Sequence, residues 1–208
     1  MKQDTETMLN IIHAATKVFI ERGMDGARMQ EIADLAGINK ALLHYYYNSK
    51  EELYQIVATR EIKKAFSDLL AVIPEEQDFR CWLRSFIHNY LQTISQNPQI
   101  TRFMMWEISQ GGNGISNIIR EFINRKDNGR MSVFETISKA LSGPTVRQVD
   151  PIQFFMSLIG MCIYPFLARP ILENIFIGID MKTEKFVIDR EEAIYELVLH
   201  GMEVRNVQ

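Results

Sequence analysis

The chain has 208 residues, 47% hydrophobic and 24% charged, enough for one large or two modest globular domains. A formal net charge of -3 excludes a general polyanion binder, so any nucleic-acid role must rest on a local patch. Two cysteines, Cys81 and Cys162, sit in apolar helical patterns without metal-like spacing and read as buried free thiols of a reducing compartment.

Nearly every long segment repeats its apolar residues with helical period, and no convincing alternating strand occurs, so the predicted fold class is all-α. The opening MKQDTETML is acidic and polar, without the apolar core of a signal peptide. Ile11, Ile12, Ala15, Val18 and Phe19 form the stripe of a first helix, which Gly23 ends. Met29, Ile32, Ala33 and Leu35 line one side of a short second helix. In Ala36-Gly37-Ile38, Gly37 supplies the positive φ of a tight corner, and Asn39 caps a third helix whose Leu43 and Tyr47 share a face. Two short helices around such a corner are the pattern of a helix-turn-helix, whose second helix lies in the DNA major groove. The module is not basic overall, since the first 63 residues hold slightly more acidic than basic side chains.

Ser49 caps a long fourth helix, with Glu51 and Glu52 in its first turn, and Pro74 marks its end. Asp78 caps the next helix, which runs to about Gln96. Asn97-Pro98 then starts a short helix that stops before Gly111-Gly112-Asn113-Gly114. Ile115 to Leu141 reads as helical with a kink around Asp127 to Gly129, and Asp150-Pro151 opens an apolar helix to Leu167. Gly178 to Val187 reads as a loop, followed by a last helix capped by Asp189. Gln153, Ser157, Gly160 and Pro165 interrupt the Ile152–Ala168 run, which reads as a buried helix and not a bilayer span. The expected domains are 1–48 (helix-turn-helix), 49–74 (connecting helix) and 75–208, in a cytoplasmic chain without a membrane partner.

The stretch AGINKALLHYYYNSKEEL resembles the DNA-binding signature of the tetracycline-repressor (TetR) family at Ala36, Gly37, Lys40, Leu43, Tyr46 and Ser49 to Leu53. Glu31-Ile32-Ala33 and the preceding helix resemble the same module, so the likeness covers about the first third of the chain. It implies a ligand-responsive transcription regulator, a repressor released from a palindromic double-stranded operator by a small, apolar effector. The residues expected on DNA are Arg28, Gln30, Asn39, Lys40, Ala41, Leu42, His44, Tyr45, Tyr46 and Lys50. Lys40 can bond a guanine edge or a phosphate, Leu42 can pack on a thymine methyl, and Tyr46 and Lys50 match positions that touch the backbone. His44 stands where the family usually has tyrosine, Leu42 replaces a common threonine, and Arg28-Met29 occupies the place of a capping threonine. These departures bear on which operator is read.

In family terms the remainder holds the effector and pairs two copies. Trp82, Phe86, Tyr90, Phe103, Trp106 and Phe122, with Glu107 and Tyr164 as polar groups, are the expected pocket, and a filled helical core is the plainer alternative. Phe155, Leu158, Ile159 and Cys162 on one helix, with Ile194, Leu197, Val198 and Gly201 on the last, are expected to meet their copies in a homodimer. Again an intrachain core is the alternative. Enzyme readings find little footing: Glu196, His200 and Glu203 share a helix face by ordinary chance, and Gly111 to Gly114 lacks the Lys and Ser/Thr of a phosphate loop. No metal, cofactor or catalytic residue is expected. The competing class is a helical ligand-binding or interaction protein that does not use DNA.

Overall fold

Helix caps written into the sequence decide where this chain turns. The computed structural model describes residues 2–71, 78–124 and 133–203. Among them are eleven helices: α1 (Lys2–Gly26), α2 (Met29–Leu35), α3 (Lys40–Tyr46), α4 (Lys50–Ala71), α5 (Phe79–Gln96), α6 (Pro98–Ser109), α7 (Asn113–Asn124), α8 (Val133–Leu141), α9 (Pro151–Leu167), α10 (Arg169–Ile175) and α11 (Glu184–Met202). The all-α expectation holds. The helix end expected at Pro74 and the kink expected at Asp127 to Gly129 lie outside the described residues. Among those described, no single helix is long and apolar enough to cross a membrane.

Expected caps are formed at four helix starts. Asn39, Asp78 and Asp150 each accept a bond from the backbone N–H three residues on, and Ser49 Oγ accepts one from Glu52 N at 3.0 Å. The last helix begins earlier than expected. Thr183 caps it through Phe186 N, so Glu184 to Val187 is helical and Val187 is buried, while Asp189 instead pairs with Lys185 one turn before it. The short helix α10, with Pro170 in its first turn, has no counterpart in the sequence reading.

The chain divides into two compact units, Met1–Lys63 with Arg102–Ile115, and Lys64–Thr101 with Ser116–Gln208. In the first, Ile11, Ile12, Ala15, Val18 and Phe19 are buried, as the stripe on α1 requires, and the backbone leaves helical geometry at Gly23. Tyr54 stands edge-on to three rings, Phe19 at 4.8 Å, Phe103 at 5.2 Å and Trp106 at 4.8 Å. Such pairs add to the area they bury, and burial pushes the Tyr54 hydroxyl up to about 12. Glu107 is the one buried charged side chain among the described residues, at 2% exposure. Its Oε2 accepts from Ile115 N at 3.3 Å, so the carboxylate sits on the N-terminal turn of α7, where a helix dipole favours negative charge.

In the second unit α5 packs against α9, α11 and α8. Phe79, Trp82, Leu83, Phe86, Ile87 and Tyr90 turn inward from α5, and the ring of Trp82 stacks on that of Phe86 at 5.3 Å. Cys81 departs from expectation: it is exposed, because its position shares the outer face of α5 with Arg84 and His88. Cys162 is buried as expected, and burial pushes its thiol up to about 12. That outer face of α5 is tied to α11 by polar contacts. Arg84 meets Glu192 through both guanidinium nitrogens, at 3.0 and 3.5 Å, and lies 3.8 Å over the ring of Tyr195. Arg80 pairs with Glu203, and His88 Nδ1 lies 2.9 Å from Glu191.

Two variants check this packing. A Cβ on Gly114 would fall 2.5 Å from Glu107 Oε2 and 2.8 Å from Oε1, so Gly114→Ala is expected to lower stability by about 1–3 kcal/mol in denaturant titration. Arg84 holds the Glu192 carboxyl below its ordinary 4.5. The folded value is the lower one, so the contribution of the pair is present above that ordinary value and is lost as pH falls through the depressed one. Glu192→Gln should therefore melt below wild type at neutral pH, and the two curves should converge in acid. A constant gap across that range would count against the pair.

Candidate nucleic-acid interface

The corner between α2 and α3 is closed by backbone bonds before any side chain is considered. Gly37 has φ +70°, its N–H donates to Asp34 O at 3.2 Å, and Ile38 N donates to Ala33 O at 3.0 Å. This is the Schellman arrangement, which needs a residue at ease with positive φ. Two residues on, Asn39 Oδ1 accepts from Leu42 N at 2.8 Å and starts α3. Leu43 and Tyr47 are buried, as expected, together with Ile32 and Ala33 of α2. The other sides of α3 are thereby left to solvent.

Asn39, Lys40, Ala41, His44 and Tyr45 are exposed, Tyr45 by 80%, and Leu42 and Tyr46 are half-buried. Arg28 and Gln30 are exposed at the start of α2, where Arg28 occupies the cap position without a side-chain cap bond. Gln30 Nε2 donates to Asp34 at 2.7 Å along the same helix. Among the described residues neither Arg28 nor Lys40 has a carboxylate partner, so both cations are available to an outside anion. Lys50 is more occupied, its Nζ donating to Ala27 O at 3.3 Å.

Tyr46 shows a contact that sequence reasoning missed. Its hydroxyl donates to Asp4 Oδ1 at 3.3 Å, and its ring meets Tyr45 edge-on at 5.4 Å. Partial desolvation first, and the Asp4 carboxylate second, hold its hydroxyl above the ordinary tyrosine value. The two residues are 42 positions apart, and nothing in the local pattern at Asp4 points to α3.

The residues expected in a pocket fall into both units. Phe103, Trp106 and Glu107 belong to the first, around Tyr54 and the start of α7. Trp82, Phe86 and Tyr90 line α5 in the second and are buried. Tyr164 is 58% exposed on α9, not enclosed, and Phe122 lies on α7 with its side chain outside the described residues.

The residues expected between copies divide by burial. Leu158, Cys162, Ile194 and Val198 are already buried within the chain, as an intrachain core would have them. Phe155 and Ile159 are half-buried, and the Phe155 ring lies 6.0 Å from Phe86. Leu197 is 68% exposed and Gly201 is exposed. Both border a groove of about 320 Å³, to which α9 contributes Gln153, Phe154, Ser157 and Met161. Ile152, Met156 and Ile188 are exposed as well, which the helical stripes alone did not single out.

Comparison with known proteins bears on the first unit. Residues 11–57 match the family model described as bacterial regulatory proteins, tetR family. The chain is 34% identical over 89 residues to the transcriptional activator FasR of Mycolicibacterium smegmatis, covering 43% of this chain and 41% of that protein. It is 33% identical over 101 residues to the regulator RutR of Escherichia coli K12, covering 49% and 47%. The chain thus spans less than half the length of either relative. Its fold extends further: a TetR-family candidate regulator from Mesorhizobium loti superposes with a TM-score of 0.69 over 98% of this chain and all of that one, at 18% identity.

Loss of the α3 cap is expected to be measurable without DNA. Asn39→Ala removes the acceptor for Leu42 N and should cost about 1 kcal/mol of stability by thermal or denaturant unfolding. An unchanged midpoint would mean that the cap contributes nothing.

Proposed function

Since residues 11–57 match the model of the tetR family of bacterial regulatory proteins, we propose that the chain is a member of that family and a DNA-binding transcription regulator acting as a homodimer. The observation that carries this reading is a seven-residue helix, capped at Asn39 and seated on Leu43 and Tyr47, whose outer face is exposed beside the partner-free cations Arg28 and Lys40. On this reading the cations Arg28 and Lys40 meet the phosphate backbone, and Lys40, Ala41, His44 and Tyr45 meet base edges. Two such helices, about 34–36 Å apart in a symmetric dimer, would enter successive major grooves of a palindromic operator.

Repression relieved by a small apolar effector completes the proposal. The aromatic clusters around Trp82 and around Tyr54 support an apolar interior in each unit. An effector would release DNA only by binding more tightly to a conformer whose two reading helices are wrongly spaced. The boundary between the units falls inside α4, so strain in one unit has a continuous helix along which to reach the other.

Fluorescence anisotropy with DNA flanking the chain's own gene tests the reading. Wild type should bind with a salt dependence, and Lys40→Ala should lose roughly 5- to 150-fold in affinity, the equivalent of about 1–3 kcal/mol, if Lys40 reads a base. If it meets only a phosphate, the loss should be uniform across sequences and the salt slope should drop by about 0.9. No binding by wild type to any sequence at low salt would overturn the proposal in favour of a helical ligand-binding protein that does not use DNA.

A further inference from the structure

The second unit carries an apolar surface that α9 and α11 do not account for. Ile171, Ile175, Phe176, Ile177 and Ile179 are all exposed within nine residues, Ile177 by 96%. Scattered single apolar residues on a surface are ordinary, but a run of five is a contact area. The backbone that presents them is pinned. Phe176 N donates to Leu172 O at 2.8 Å, Ile179 N to Phe176 O at 3.2 Å, and Met181 N to Glu173 Oε1 at 3.1 Å. Met181 itself is buried, anchoring the far end of the segment. The result is a knob whose side chains are held out in advance of any partner, which lowers the ordering cost of docking.

Charge and area favour one partner. Arg169 is paired with Glu173 at 3.9 Å, no Lys or Arg occurs from Pro170 to Met181, Lys185 is paired with Asp189, and the exposed Lys182 is a single cation two residues from Asp180. An anionic membrane would call for a basic rim here, and an acidic protein for free cations. A nearly neutral apolar surface is instead complementary to itself, as a two-fold contact requires. Ile152, Met156 and Tyr164 of α9 with Ile188 and Leu197 of α11 are exposed too, and the knob doubles these five large apolar side chains to ten available to a contact that in a standard interface buries about 800 Å² per partner.

We propose that the knob from Ile171 to Ile179 docks against a second copy of this chain, forming with the exposed faces of α9 and α11 one continuous dimer contact. This rests on the dimeric reading above, and the test separates the two. The full chain is followed by sedimentation velocity over a dilution series, as wild type, Phe176→Asp, Ile177→Asp and Leu197→Asp, with circular dichroism to confirm the fold. Wild type should be a dimer, and both knob variants should weaken it at least tenfold with helicity unchanged. If the knob variants dimerise like wild type while Leu197→Asp is monomeric, the dimer stands and the knob is refuted. A monomeric wild type refutes both. Should Ile177→Asp unfold, Ile177→Ser replaces it under the same criterion. Flotation of wild type, but not Ile177→Asp, with anionic or neutral lipid vesicles, without any change in self-association, would show that the knob faces lipid and overturn the proposal.

Discussion

A seven-residue helix cannot hold itself together in water, because nucleation costs more than its few hydrogen bonds return. The helix α3 is that short, and everything proposed for this chain depends on it being formed before any partner arrives. Three local features make that possible: the closed corner at Gly37, the Asn39 cap, and the burial of Leu43 and Tyr47, with α3 packed on α2, whose Ile32 and Ala33 are buried too. The first two satisfy backbone groups that a helix end leaves open, and the third supplies the tertiary contact that isolated short helices lack. The next helix adds its own restraint through Ser49 and through Lys50, which reaches back to Ala27 O.

The electrostatics of the chain have the same local character. A net charge of -3 gives no long-range attraction to a polyanion. What remains is the placement of a few cations without acidic partners, against a background that includes an acid, Asp4, bonded to Tyr46. Such an arrangement favours close-range recognition over accumulation on bulk DNA. It also gives the N-terminal turn of α1 a direct hold on one side chain of the proposed reading surface.

What could be read from the sequence was what the backbone dictates over a few residues. Asn39, Ser49, Asp78 and Asp150 cap where they were expected to, Gly37 turns the corner, and the stripe on α1 is buried. Thr183 was missed because its cap competes with a stretch that has loop-like Gly178 and Asp180 just before it. Cys81 was misjudged because an apolar neighbourhood in sequence does not fix which face of a helix a residue takes. Phe103 and Trp106 show a deeper limit. Periodicity places them on a helix face, yet only the tertiary fold sets that face against Tyr54, some fifty positions earlier in the chain. For the same reason Leu158, Cys162, Ile194 and Val198 could be recognised as apolar stripes but not apportioned between an inner core and an outer contact.

The seating of α3 divides labour among its residues in a way that bears on how such a chain can change. Leu43 carries the packing and Asn39, just before the helix, carries the cap, whereas Lys40, Ala41, His44 and Tyr45 project into solvent. Substitutions at exposed positions of this kind usually alter stability by no more than about 0.5 kcal/mol. The outer face is therefore nearly free to drift, or to be rewritten by an engineer, while the scaffold beneath it stays intact. A family built on this corner can diversify its targets one exposed side chain at a time, with folding left out of the trade.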